Sequence, residues 1–248
     1  MVDQSQLHKI RDEINKAKLV VFLGGAGVST SSGIPDFRSK DGLYRIKNKY
    51  GVSYEEMLSH DYFFEHTSSF YSFFFETMVN EKAQPNKAHF ALANFERKHG
   101  NFVVVTQNID GLHQKAGSQN VLEVHGSYQR YHCLSCGKHF SLSDIPHSGM
   151  PHCPSCGGLI KPGVVLYGEG LPEDVLSAAF DAVRKADVLI VGGTSLMVYP
   201  IASLPGYFRG GCKILINRDP TPQDDEFDYI FHEDIGDTLS LILGEEDA

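Results

Sequence analysis

His125 stands between Val124 and Gly126, and eight residues after it begin four cysteines in two Cys-x-x-Cys hooks, Cys133/Cys136 and Cys153/Cys156. A histidine between valine and glycine at a strand end is suited to general-base work near neutral pH. It is equally suited to a satisfied structural role, and His113 is its main rival among the histidines. Two hooks sixteen residues apart offer four thiolates, the donor set of a tetrahedral zinc site. Four thiolates leave no open coordination position, so a zinc held there is structural. His132, His139 and His152 lie close by, but with four cysteines in place they read as solvated surface histidines. The alternative, a redox dithiol, normally comes as one pair beside a βαβ unit.

Upstream lies Gly24-Gly25-Ala26-Gly27. Glycines let backbone amides approach a pyrophosphate, and a helix start after them favours negative charge. The third glycine of the usual dinucleotide fingerprint is absent, with Thr30 in its place, and the acidic residue about 20 positions on is missing. A purely structural tight turn explains the motif equally well. Three further segments end apolar runs with polar residues: Thr106-Gln107-Asn108-Ile109-Asp110, Gly193-Thr194-Ser195 and Asn217. Amides, a carboxylate and hydroxyls at strand ends suit a heterocycle, ribose and phosphate. Singly each could be a turn residue; together they point to a nucleotide.

The elements that must carry these groups are legible. Residues 19–23, 102–105, 188–191 and 213–216 are short continuous apolar runs, the pattern of strands buried in a parallel sheet. Helical patterns fall at 6–17, 86–99 and 172–185. Alternating strands and helices predict a doubly wound sheet, which binds ligands at the carboxyl ends of its strands. Residues 38–83 break the alternation with many aromatics and read as a helical insert. Residues 129–160 hold too few large apolar side chains for a core, so a metal must supply stability. Cys212 reads as a small buried residue.

At 248 residues the chain suits one α/β domain plus a small insert. A net charge of -9, and a cysteine segment carrying Arg130 and Lys138 against Asp144, argue against nucleic acid. No apolar run reaches the ~18 residues of a membrane span. Met1–Gln6 lacks the basic start and apolar core of a signal peptide. The expected location is the cytoplasm.

Taken in order, Gly25-Ala26-Gly27-Val28-Ser29, Gly33-Ile34-Pro35-Asp36-Phe37-Arg38, Thr106 through His113, His125-Gly126, the cysteine hooks, Lys161 through Glu169 and Gly193-Thr194-Ser195-Leu196 resemble the bacterial-type sirtuins, NAD-dependent protein lysine deacylases. The match covers about residues 19–219. The resemblance implies a Rossmann-like NAD-binding domain from residues 1–37, 84–128 and 161–248. A smaller domain would combine the helical insert 38–83 with the zinc module 129–160.

The resemblance also implies residue roles. Gly25, Ala26, Gly27, Gly193, Thr194, Ser195 and Asn217 would hold the adenosine and phosphates. Asp36, Phe37 and Arg38 would lie on a loop over the cofactor. Gln107, Asn108, Ile109 and Asp110 would line the nicotinamide and ribose pocket, with Asn108 sharing in catalysis. His125 would be the base acting through the ribose hydroxyls. Val165 would flank the substrate lysine, with Tyr167, Gly168, Glu169 and Val198 along the peptide. Cys133, Cys136, Cys153 and Cys156 would hold one structural zinc.

The implied reaction consumes NAD and an acyl-lysine protein, giving nicotinamide, O-acyl-ADP-ribose and free lysine. Departures from the family pattern are Gly24, Gly192, Lys161 for the usual arginine and Tyr167 for the usual phenylalanine. Members that remove succinyl or malonyl groups carry a Tyr-x-x-Arg pair; here Tyr71 is followed by Phe74, so acetyl or another uncharged acyl is expected. Protein ADP-ribosyl transfer and a non-catalytic NAD-binding regulator are the competing readings.

Overall fold

The computed structural model describes residues 4–37, Leu43 and residues 51–244. Its strands are β1 (Val20–Gly24), β2 (Phe102–Thr106), β3 (Val121–Glu123), β4 (Gly126–Cys133), β5 (His139–Ser141), β6 (Ile160–Val164), β7 (Val188–Gly192), β8 (Cys212–Ile216) and β9 (Tyr229–Phe231). Its helices are α1 (Gln4–Lys16), α2 (Tyr54–Met57), α3 (His60–Glu65), α4 (Thr67–Phe73), α5 (Lys87–His99), α6 (Leu112–Ala116), α7 (Glu173–Lys185) and α8 (Ile235–Leu243).

Six parallel strands form the main sheet in the order β3-β2-β1-β7-β8-β9. The period-2 geometry of a strand sends neighbours to opposite faces. Val20 and Phe22 therefore pack with α1, α5 and α8, whereas Val21 and Leu23 pack with α7 and the turn containing Leu204. Both faces are covered, which is why β1 reads as an unbroken apolar run. The sheet order reverses between β1 and β7, and a doubly wound sheet opens its ligand crevice at such a point.

The second sheet is antiparallel, in the order β5-β4-β6. It spans Gly126–Val164 and overruns the expected module 129–160 at both ends. Its apolar residues do not stand alone. Tyr131, Leu142, Ile145 and Ile160 share one cluster with Phe63, Phe70, Phe73 and Phe74 of the aromatic helices. Phe63 meets Phe70 edge-on at 4.9 Å, and Phe70 stacks on Phe74 at 5.3 Å. The cysteine segment thus leans on the insert for its core. Cys212 is buried under the main sheet, as expected of a small apolar side chain.

His89 on α5 and His113 on α6 are both fully buried, with ring centroids 4.8 Å apart. Burial lowers both, His89 to about 4 and His113 to about 3. The folded state therefore keeps them neutral while the unfolded chain protonates them near the usual ~6.5. Below that value the unfolded state binds more protons, so stability is full above about pH 6.5 and falls as the pH drops toward the folded values. Thermal midpoints recorded between pH 7.5 and 4.5 should fall with acidity, and His113→Gln should flatten that slope. An unchanged slope in the variant would remove this pair as its source.

Candidate active site

The strand register brings the motif residues to one level. Gly24 of β1 pairs with Thr106 of β2 and Gly192 of β7, and Gly192 pairs with Ile216 of β8. The next residues of all four strands, Gly25, Gln107, Gly193 and Asn217, emerge together into one cavity of about 770 Å³.

Its floor is a glycine cradle. The Gly27 amide donates to the Gly193 carbonyl at 2.8 Å, and the Gly25 amide to the Gly192 carbonyl at 3.2 Å. A Cβ on Gly25 would come 2.8 Å from the Gly193 oxygen, and one on Gly27 would come 2.8 Å from the Gly193 Cα. Real side chains do not fit that approach, so glycine is required there. The expected helix start after the glycines is not found. Only short 3-10 turns, Ala26–Val28 and Thr30–Ser32, follow. Asn86, capping α5, holds these turns by donating to the Val28 carbonyl and the Ser32 hydroxyl.

Behind the cradle runs a buried polar network. Asn108 Nδ2 donates to Ser29 Oγ at 3.0 Å, and Ser29 Oγ donates to Asp110 Oδ2 at 2.7 Å. Asp110 Oδ1 accepts the Leu112 amide at 2.9 Å. Burial pushes the Asp110 carboxyl up, while these two donors favour its charged form. Gln107 Nε2 donates to Thr194 Oγ1 at 3.1 Å, joining the β2 and β7 turns. Ser29 was not singled out from the sequence as a site residue. It lies inside the Gly25–Ser29 motif, but its partners are about eighty positions away.

His125 sits in the turn between β3 and β4. Its Nδ1 lies 3.0 Å from the Gln107 carbonyl. A carbonyl only accepts, so the proton belongs on Nδ1 and Nε2 carries the lone pair. Burial lowers its pKa, opposed by that hydrogen bond, and so favours the neutral ring. The ring borders the cavity. His113 does not; its ring packs on His89 and Phe22.

The far wall is a strap leaving β6. Val165 donates its amide to the His125 carbonyl at 2.9 Å. Tyr167 is bonded through both backbone groups to the α2–α3 turn: its amide to the Leu58 carbonyl and its carbonyl to the His60 amide. Gly168 and Glu169 continue the wall, and Val198 also borders the cavity. Asp36, Phe37, Ala26, Ile109, Ser195 and Asn217 also border the cavity. Arg38 lies outside the described residues.

The four cysteine Sγ atoms lie within 4.8 Å of one another. Cys133 to Cys156 measures 3.5 Å and Cys136 to Cys153 measures 3.8 Å. A tetrahedron with Zn–S bonds of ~2.3 Å has edges of about 3.8 Å, so the donor set fits zinc. Each hook closes alike. Gly137 donates to the Cys133 carbonyl and Gly157 to the Cys153 carbonyl, both glycines having φ of 72°.

Residues 25–200 match the family model described as Sir2 family. An NAD-dependent protein deacetylase of Clostridium acetobutylicum is 47% identical over 96% of this chain and 98% of its own. One of Cutibacterium acnes is 48% identical over 92% and 94%. Among solved structures, a Sir2 with a deacetylated p53 peptide and 3'-O-acetyl ADP ribose superposes with a TM-score of 0.86 at 37% identity, covering 96% of this chain and 98% of that one. A Sir2 complex with p53 peptide and NAD+ gives 0.83 at 37% identity over the same shares. With a glycine cradle and a histidine at one crevice, a four-cysteine cluster in the small sheet, and these relatives over nearly its whole length, the chain belongs to the Sir2 family.

Proposed function

We propose that this chain removes acetyl or another uncharged acyl group from protein lysine side chains while consuming NAD, giving nicotinamide, O-acyl-ADP-ribose and free lysine. The observation that carries the reading is His125, whose Nδ1 is tied to the Gln107 carbonyl so that Nε2 is a free base in the cavity of the glycine cradle. The near-full-length likeness to proteins named NAD-dependent protein deacetylase supports it.

NAD, when bound, supplies an electrophilic ribose carbon that already bears a good leaving group, nicotinamide. In this reading the residues divide the remaining work. The Gly25–Gly27 and Gly193–Ser195 turns and Asn217 hold the adenosine and phosphates. Gln107, Asn108, Ile109 and Asp110 orient the nicotinamide ribose, with Ser29 fixing Asn108 and Asp110 relative to one another. His125 Nε2 takes a ribose hydroxyl proton. Asp36 and Phe37 at the cavity shield the reacting carbon from water. The strap from Val165 to Glu169 and the segment at Val198 receive the peptide as an added strand.

Protein or peptide is the proposed partner, in preference to nucleic acid, given the charge of -9. No helix among the described residues is long and apolar enough to cross a membrane, and we place the enzyme in the cytoplasm. The two parts on either side of the cavity act as an NAD-binding domain and a smaller zinc-bearing domain.

Acyl choice follows from what borders the cavity. Tyr71 is turned away, its hydroxyl donating to the Ile160 carbonyl, and Phe74 is buried against Phe70. Among the described residues at the cavity no lysine or arginine is present. A succinyl carboxylate would be desolvated without a cation, which costs about 1–3 kcal/mol or more. The purified protein should therefore be given acetyl-lysine and succinyl-lysine twins of one peptide, with and without NAD, and products followed by mass spectrometry. Acetyl loss matched by nicotinamide and acetyl-ADP-ribose is expected, at least about tenfold faster than succinyl loss. ADP-ribose attached to protein without acyl transfer would replace the reading, and faster succinyl turnover would sink the acyl assignment.

A further inference from the structure

Lys161, the lysine standing where the family has arginine, is buried and its ammonium is spent entirely inside the molecule. Nζ donates to the Val164 carbonyl at 3.0 Å, to Glu169 Oε2 at 3.1 Å and, more weakly, to the Pro162 carbonyl at 3.4 Å. Glu169 Oε2 also accepts the Leu166 amide at 2.9 Å. The Glu169 amide in turn donates to the Leu166 carbonyl at 2.9 Å. These bonds close a ring around the strap: its start at Val164, its middle at Leu166 and its end at Glu169 all meet one ammonium–carboxylate pair. The Phe63 ring lies 5.9 Å below Nζ and seals the pair from the insert side. Burial lowers the ammonium's pKa and the Glu169 carboxylate raises it again.

Beside the clamp, Leu166 anchors the strap in the aromatic core. Val165 and Tyr167 are tied at their backbone, but Gly168 has a φ of 93° and no side chain to pack. We propose that Lys161 is a positioning residue for substrate: with Glu169 it clamps the Val164–Glu169 strap in the form that receives the acyl-lysine peptide. This rests on the proposed role of the strap as the peptide's partner strand. The cradle that would hold NAD stands on β1, β2, β7 and β8, none of which the clamp touches. Loss of the clamp should therefore separate the two substrates.

The test is steady-state kinetics on Lys161→Met, Glu169→Gln, the double variant and Lys161→Arg. Binding of a fluorescent acetyl-lysine peptide to zinc-loaded protein is measured alongside by anisotropy. Lys161→Met should raise the peptide KM and Kd about tenfold or more, the scale for losing a charge-assisted hydrogen bond. The NAD KM should stay within about twofold, and zinc content should not change. Glu169→Gln should act in the same direction, and the double variant should be no worse than the poorer single one, because the pair acts as a unit. Lys161→Arg should recover most of the affinity. Should Lys161→Met lose its thermal transition, Glu169→Gln, which is isosteric with the wild-type side chain, carries the same expectation. Unchanged peptide affinity in folded variants, or equal shifts for peptide and NAD, would overturn the clamp. A wild-type protein that neither binds nor turns over the peptide would instead overturn the substrate reading beneath it.

Discussion

Replacing His125 by alanine should lower deacylation by at least about a hundredfold, the usual scale for losing a general base, while fold and zinc content are kept. That factor is about 2.7 kcal/mol of transition-state stabilisation. The argument starts at the ring's other nitrogen. Nδ1 is committed to the Gln107 carbonyl, which orients the ring and places the lone pair on Nε2. The variant loses that base but disturbs little else, because the turn is held through backbone bonds such as Val165 amide to His125 carbonyl. A His125→Asn variant, which keeps a donor for Gln107 but has no titratable nitrogen, should be nearly as slow. The pH profile gives an independent sign. Burial depresses the His125 pKa below that of an ordinary histidine, which favours the unprotonated base. The acid limb of kcat/KM should fall below the ordinary ~6.5 of histidine. A folded, zinc-bearing His125→Ala with near-normal turnover would remove this residue from the mechanism.

The same residue shows how far a sequence carries such an argument. In sequence His125 and His113 are rivals: each directly follows an aliphatic residue, Val124 or Leu112, and each lies within two positions of a glycine. What separates them is burial by distant elements. His113 faces His89 across two helices, and His125 faces the cavity. No local spacing encodes that. The strands buried on both faces were legible because a parallel sheet demands unbroken apolar runs, as in Val188–Val191. β9 was not legible, and β3 was read only as the strand end on which His125 stands. Each is three residues long and lies at a sheet edge, and Glu123 interrupts the apolar pattern of β3. α8 carried a readable signal, Asp234 as N-cap before an apolar helix ending at Gly244. The aromatic insert was legible as helical from its own residues, whereas its pairing with the cysteine segment came only from the family resemblance. Its rings complete a core with the cysteine segment some seventy residues later, which local periodicity cannot report. The Ser29 bridge between Asn108 and Asp110 is hidden for the same reason.

Removal of the metal should abolish activity even though the zinc site is remote from the cradle. Zinc binding to four thiolates contributes on the order of 10–16 kcal/mol in small metal-folded modules. Here the hooks join β4 to β6: Cys133 ends β4, and Cys153 and Cys156 precede β6. β4 begins at Gly126, directly after His125, and β6 runs into Val164 and Val165. Gly126 permits that junction. It has a φ of 73°, and a Cβ there would meet the Gly163 oxygen at 2.0 Å. The pairing of Gly126 with Val164 therefore holds the base next to the strap only while the small sheet stands. Without metal, four thiols 3.5–4.8 Å apart have no common ligand. The hooks, each with one buried and one exposed cysteine, then lose the constraint that keeps β4 beside β6. The shared aromatic cluster should leave part of the insert compact, so the expected outcome is selective. Chelation, or Cys153→Ser, should remove stoichiometric zinc and lower turnover by at least about a hundredfold, a fall as large as losing the base it positions. The small-sheet amides Tyr131 and Cys133 should lose protection from hydrogen exchange. The amides of β1 and β7 should keep theirs, because their packing lies in separate clusters. Full activity in metal-free protein, or equal loss of protection across both sheets, would refute this division of labour between zinc and sheet.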